Sequence, residues 1–283
     1  MRDTALPTSP SCSLTRALVR RLSIVIPLML PFTLGACKSL MPNDITGSIN
    51  VAAPAQPTTI EGGRAMAEQW KARYEANPSD KRAALNYALG LRASTQYAQA
   101  VAVLQVVAIR NPEDREVLSA YGKALANAGR SAEAAEILAK AHSPDSPDWT
   151  VLSAQGSVAD EMGDHASAQA YYNAALKIVP GEPSVLSNLG LSFALSKDLR
   201  SAETTLRQAA AHPRADARVR QNLALVLSLE GKFDEAETIQ RRDLSAADAA
   251  SNVKAIRQMI AQSNTWRDLQ GLDRDPKKPR HGT

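Results

Sequence analysis

A spacing of 34 residues recurs five times between residues 81 and 248, and it constrains the fold more tightly than any other feature of the 283-residue chain. With the register started at Lys81, Arg115, Trp149, Pro183 and Ala217, the twentieth position is Ala100, Ala134, Ala168, Ala202 and Ala236. Ala supplies 49 of the 283 residues. Even with free choice among the columns, five alanines in one of them arise by chance on the order of half a percent of the time. The eighth position supports the period independently, since Ala88, Gly122, Gly156, Gly190 and Ala224 are all small. The fifteenth is Gly129, Gly163 and Gly231, with Thr95 and Lys197 departing from it.

The physical reading is one helical hairpin per unit. Small residues at positions 8 and 20 let two helices cross at short distance, and the position-15 Gly supplies the turn. Bulk at position 24 (Leu104, Leu138, Tyr172 and Leu206) fills the gaps around the crossing, although the fifth unit has Gln240 there. Pro112 and Pro180 end two units, with Pro147 and Pro213 one residue displaced, because Pro lacks the N–H a helix needs and restricts the residue before it. This resembles the tetratricopeptide-repeat pattern, which implies an all-α, right-handed superhelix. A helix upstream carrying Met66 and Trp70 is expected to cap one end. Downstream, Ser245 and Asp248 form a capping-box pattern before the apolar stripe Val253, Ile256 and Ile260, and that helix covers the other end to about Ser263.

Charge and composition remove several function classes. The formal charge of +4 resides at the termini, with Arg2, Arg16, Arg20 and Arg21 at one end and Arg274, Lys277, Lys278 and Arg280 at the other. The body between is close to neutral, so no basic stripe with interleaved aromatics is present and nucleic acid is not an expected partner. Cys12 and Cys37 are the only cysteines, and His142, His165, His212 and His281 the only histidines. With Cys12 removed in a signal, no intramolecular disulfide and no Cys/His zinc site can be composed. No metal, cofactor or small-molecule substrate is expected, and no nucleophile, base and orienting group recur at fixed spacing, so the chain does not read as an enzyme. Asp160 and Glu161, adjacent on one helix, are expected to be solvated charges.

At the N-terminus, Arg16, Arg20 and Arg21 precede the uncharged run LSIVIPLMLPFTLGAC, residues 22–37. It is too short for a comfortable membrane span and fits a signal-peptide core. Its end, Leu34-Gly35-Ala36-Cys37, resembles the lipobox of bacterial lipoproteins. The resemblance implies that Cys37 is the acylated first residue of the mature chain. Several acyl chains at about 0.8 kcal/mol per buried methylene make such attachment effectively permanent. Lys38, where an Asp would signal inner-membrane retention, favours the periplasmic face of the outer membrane. The expected organisation is a signal over 1–36, a lipidated tether over 37–61, a capping helix over 62–80, five repeats over 81–248, a capping helix over 249–270 and a disordered basic tail over 271–283.

The repeat face supplies the candidate binding residues. First-helix positions 2, 5, 6, 9, 12 and 13 line the concave side of such arrays. Position 6 is Asn86, Ala120, Ala154, Asn188 and Asn222, and position 5 includes Ser119, Ser153 and Ser187. Asn86, Asn188 and Asn222, with Ser153 and Ser187, are therefore candidates for gripping a peptide backbone, because an amide offers both donor and acceptor. The equal alternative is that the asparagines bond within the solenoid. Position 5 has no Lys, so a clamp of Lys and Asn for a C-terminal carboxylate is not expected.

Several stretches go beyond generic repeats: YGKAL at 121–125, SAQG at 153–156, VLSNLGLS at 185–192, RVRQNLALVL at 218–227 with FDEAE at 233–237, and the closing segment 252–266. Together they resemble the TadD family, the repeat lipoproteins of tight-adherence (Flp) pilus assembly systems. The resemblance implies a non-enzymatic envelope factor whose partners are a secretin or other pilus-assembly proteins, with the secretin pilotin role as its narrowest form. A general outer-membrane assembly lipoprotein acting on β-barrel precursors, or an activator of peptidoglycan hydrolases, remain alternatives.

Overall fold

The computed structural model describes residues 57 and 59–273, with side chains as far as Gln262. The expected signal, Cys37 and the tail from residue 274 lie outside the described residues. The described chain forms twelve helices: α1 (Ile60–Ala76), α2 (Lys81–Ala93), α3 (Tyr97–Arg110), α4 (Arg115–Asn127), α5 (Ser131–Lys140), α6 (Trp149–Glu161), α7 (His165–Ile178), α8 (Pro183–Leu195), α9 (Leu199–Ala211), α10 (Ala217–Leu229), α11 (Phe233–Gln240) and α12 (Ala246–Asp273). Among them, α2, α4, α6, α8 and α10 begin at the five register starts and are the first helices of the five units. The second helices, α3, α5, α7, α9 and α11, each begin sixteen residues later.

Those starts have a local cause. The residue before each first helix is Asp80, Asp114, Asp148, Glu182 or Asp216, and each side chain accepts a backbone N–H of the first turn, from Ala83, Val117, Thr150, Ser184 and Val219 respectively. An acidic N-cap satisfies an orphan donor and sits favourably on the positive end of the helix, for about 1 kcal/mol each. The turn inside each hairpin is equally regular. Thr95, Gly129, Gly163, Lys197 and Gly231, all at position 15, take φ of 64°, 73°, 82°, 69° and 82°. The left-handed conformation is thus imposed by the hairpin, and Thr95 and Lys197 adopt it against the preference of their side chains.

The helix crossings are as close as the small residues require. A Cβ added to Gly122 would lie 2.6 Å from Leu138 Cγ, one on Gly156 2.6 Å from Tyr172 Cε1, and one on Gly190 2.6 Å from Leu206 Cγ. Positions 8 and 24 therefore fill each other's space within one unit. The five position-20 alanines, Ala100, Ala134, Ala168, Ala202 and Ala236, are fully buried.

The ends differ from the interior. Cap α1 crosses α2 backbone to backbone, since a Cβ on Gly90 would fall 2.4 Å from Ala67 N and one on Gly63 2.7 Å from Ala93 C. At the other end Ser245 Oγ accepts from Asp248 N (3.2 Å), and α12 buries Ala249 and Val253 and continues to Asp273, past the expected stop near Ser263. The fifth unit is truncated on its second side. Helix α11 stops at Gln240, and Asp243, where the other units carry Val or Ala at position 27, accepts two bonds of 2.6 Å from Arg220. In the second unit α5 ends at Lys140, ahead of a loop in which Ser143 and Ser146 form a bridge. Pro144, rather than Pro147, is the first residue able to bar that helix from continuing.

Each helix packs on the next in sequence, and each first helix also touches the next first helix, α2 on α4, α4 on α6, α6 on α8 and α8 on α10. Second helices of successive described units stand further apart, although the long Arg207 side chain of α9 still reaches Glu235 of α11 at 2.7 Å. Helices that meet on one side and splay on the other make the array curve, with the first helices on the inside.

Candidate functional site

On that inner side, α2, α4 and α6 enclose an open groove of about 1010 Å³. Its walls come from the expected concave positions: Arg82, Glu116 and Thr150 at position 2, Leu85, Ser119 and Ser153 at position 5, Asn86 and Ala120 at position 6, and Leu89 with Lys123 at position 9. Leu85, Leu89 and Trp149 give it an apolar floor. Two of the five expected binding residues, Asn86 and Ser153, lie in this groove.

Asn86 Nδ2 donates to Arg82 O of its own helix at 2.8 Å. Asn188 and Asn222 lie further along the array and donate sideways. Asn188 Nδ2 reaches Ser153 Oγ at 3.3 Å, and Asn222 Nδ2 reaches Ser187 Oγ at 3.0 Å. Each bond runs from position 6 of one unit to position 5 of the unit before, tying first helix to first helix. One of the two amide donors of each of Asn188 and Asn222 is thus engaged within the solenoid. In the second and third units position 6 is Ala120 and Ala154, which cannot make that tie, and there the groove stays open.

The groove's charges divide into two sets. Lys81 Nζ bonds Asp114 Oδ2 and Glu116 Oε2, both at 2.7 Å, and the Asp114 pairing holds that carboxyl below its usual range. Arg82, Arg92 and Lys123 form no ion pair among the described residues. Arg82 lies over the Trp70 ring at 5.6 Å, Arg92 Nε donates to Asn127 Oδ1 at 2.8 Å, and Lys123 Nζ donates to Thr150 Oγ1 at 2.8 Å. Burial pushes the Lys123 ammonium down to about 8, with the neighbouring Asp148 carboxylate opposing the shift and Arg92 reinforcing it. Burial likewise lowers Arg92. These two cations, at positions 9 and 12 of successive first helices, had no counterpart in the expected binding set. Their signal in the sequence is slight: a Lys and an Arg in columns that elsewhere hold Leu, Ser, Ala or Asp.

Asp160 departs from expectation. It is not a solvated charge: its carboxylate accepts from Ser192 Oγ at 2.8 Å and Tyr172 Oη at 3.2 Å and bonds His165 Nδ1 at 2.9 Å. Its side chain is 10% exposed. It is a structural tie between the third and fourth units, because Ser192 belongs to α8. Its neighbour Glu161 points elsewhere and accepts from Ser131 Oγ at 2.6 Å. Among the described residues no group of three or more His, Cys, Asp or Glu side chains converges to hold a metal.

Comparison with known proteins agrees with this architecture. Tetratricopeptide-repeat family models match residues 91–155 and 153–216. No curated protein sequence matches the chain. Among solved structures, PilW, described as a widely conserved type IV pilus biogenesis factor, superposes with a TM-score of 0.59 at 18% identity, over 68% of this chain and 91% of its own. TTC0263, a thermophilic repeat protein of Thermus thermophilus, gives 0.54 at 21% identity over 65% of this chain and 97% of its own. The Cut9–Hcn1 hetero-tetramer of the APC/C gives 0.54 at 18% identity, over 69% of this chain and 40% of its own. At such identities the likeness is one of fold. Helix pairs recurring every 34 residues, small residues at each crossing and matching repeat models over 91–216 make this chain a tetratricopeptide-repeat solenoid, the architecture of a protein-interaction scaffold.

Proposed function

We propose that the chain is an outer-membrane lipoprotein, held at the periplasmic face through acylated Cys37, that grips a protein partner in its first-helix groove. In this reading it supports assembly of tight-adherence (Flp) pili and, in its narrowest form, serves as the pilotin of their secretin. The observation that carries the binding half is the groove itself: three successive first helices line one groove, with Leu85 and Leu89 of α2 and Trp149 of α6 as apolar surface among polar walls, a form in which repeat arrays take up extended polypeptide. The envelope half rests on Leu34-Gly35-Ala36-Cys37 and on the family resemblance of the stretches from 121 to 266. Likeness in fold to a pilus biogenesis factor accords with it.

The experiment is purification of the mature protein from detergent-solubilised membranes, with identification of what accompanies it, for wild type and for a groove variant such as Ser119→Trp. A secretin or pilus-assembly protein accompanies the wild type and is lost from the variant. Recovery of β-barrel precursors or a peptidoglycan hydrolase instead contradicts the pilus reading. Labelled fatty acid enters the wild type and not Cys37→Ser, since only the thiol accepts the diacylglyceryl group; normal labelling of Cys37→Ser sinks the lipoprotein claim.

A further inference from the structure

The groove carries a charge imbalance that the fold itself does not explain. Elsewhere in the solenoid, exposed or half-buried cations meet carboxylates: Lys81 on Asp114, Arg207 on Glu203, Arg214 on Glu182, Arg220 on Asp243 and Lys232 on Glu203. Arg92 and Lys123 are half-buried, as Lys81 and Arg220 are, but they donate to neutral oxygens, those of Asn127 and Thr150. The Asp148 carboxylate attracts Lys123 and accepts from the Thr150 hydroxyl at 2.8 Å, but it forms no ion pair with the ammonium. A half-buried cation without an ion-pair partner costs stability, and these two repel each other. Neither side chain is needed for the crossing of its helices, which Ala88 and Gly122 make with Leu104 and Leu138. What remains to account for them is a guest of opposite charge.

We propose that the groove over α2, α4 and α6 binds an extended peptide segment bearing a carboxylate, which seats against Arg92 and Lys123 while neighbouring apolar side chains rest on Leu85, Leu89 and Trp149. This rests on the reading of the groove as the partner-binding face and specifies its ligand. The carboxylate completes two charge-assisted hydrogen bonds in a partly desolvated site, where such bonds are roughly twice as strong as neutral ones. It is supplied by an Asp or Glu side chain or by a C-terminus, since both present the same group. The arrangement differs from the Lys-at-position-5 clamp that the sequence lacks, because here the cations stand at positions 9 and 12.

The test uses the mature chain and fluorescein-labelled short peptides of Leu and Ala in three forms: C-amidated with Gln, C-amidated with Glu at the same places, and Gln-containing with a free C-terminus. Binding is read by anisotropy for wild type, Lys123→Met, Lys123→Arg and Arg92→Gln, alongside thermal unfolding of each. At least one carboxylate form binds wild type about tenfold or more tighter than the neutral form. The Glu form leading identifies a side-chain carboxylate, and the free C-terminus leading identifies a terminal one. The preference disappears in Lys123→Met and Arg92→Gln and survives in Lys123→Arg, while Lys123→Met melts about 2 to 6 °C higher than wild type because a partly desolvated charge without an ion-pair partner is gone. Equal binding of all three forms overturns the carboxylate proposal, and so does a lowered melting temperature of Lys123→Met. If peptides bind without charge preference and compete with the membrane partner, the groove reading stands and only its ligand is wrong. If none binds and Ser119→Trp still captures the partner, the groove reading fails with it.

Discussion

The two halves of the inner face use one scaffold position in opposite ways. In the fourth and fifth units position 6 is Asn188 and Asn222, each giving one amide donor to the serine of the preceding first helix. In the second and third units it is Ala120 and Ala154, and the space becomes a groove edged by Arg92 and Lys123. Position 13 changes too. Leu195 and Leu229, at position 13 of the last two units, are 57% and 43% exposed, where the first two units have Ala93 and Asn127. A period of 34 residues therefore fixes where a side chain stands but not whether it serves the array or a guest. That is decided by what the adjacent unit offers it.

The common packing should be indifferent to this division, and it carries the largest expected effect. Gly122→Leu and Gly190→Leu each push a side chain into space already held by Leu138 or Leu206, and should cost about 1 to 3 kcal/mol or more in thermal or denaturant unfolding. Similar losses in both halves support a uniform scaffold; a Gly122→Leu protein that unfolds normally would mean the groove half is packed differently.

The groove and the ladder should then part in sign. Lys123→Met should stabilise by up to about 2 kcal/mol at neutral pH, whereas Asn188→Ala with Asn222→Ala should destabilise by about 0.5 to 1.5 kcal/mol per lost bond. The lysine adds a pH signature. Its native ionisation lies near 8, below that of the unfolded chain, so its destabilising contribution is full below pH 8 and is relieved as pH rises towards about 10.5. Denaturant titrations should show wild-type stability gaining on Lys123→Met through that window; parallel curves would contradict the assigned burial.

The smallest expected effect lies in the turns. Thr95 is a β-branched residue at φ 64°, so Thr95→Gly should stabilise by about 0.5 to 1 kcal/mol, and Lys197→Gly by somewhat less. Gly129→Thr should do the reverse by a similar amount.

Much of this scaffold was legible in the residues. Alternation of small and large side chains at positions 8, 20 and 24 encodes a helix crossing directly, because volume exclusion leaves few other uses for it. The acidic column from Asp80 to Asp216 was equally legible, since five consecutive units carry it, but it lies just ahead of the register start and outside the small and apolar columns that define the period. The Gly63–Gly90 contact was not legible, because it occurs once, at a cap, and leaves no repeat. The site was harder still. Whether Asn188 braces or binds depends on Ser153, 35 residues away, and the burial of Lys123 depends on three helices meeting around it. Asp160 shows the same difficulty: a charged pair of residues at the end of a first helix becomes a tie between units only when α8 delivers Ser192.

The division of the inner face is tested most directly by measuring partner capture and melting temperature together for two double variants, Arg92→Gln with Lys123→Met and Asn188→Ala with Asn222→Ala. The account predicts that the first loses the partner by about tenfold or more without melting earlier, while the second keeps the partner and melts earlier. Loss of the partner in the asparagine variant at unchanged melting temperature, with capture intact in the cation variant, would contradict it.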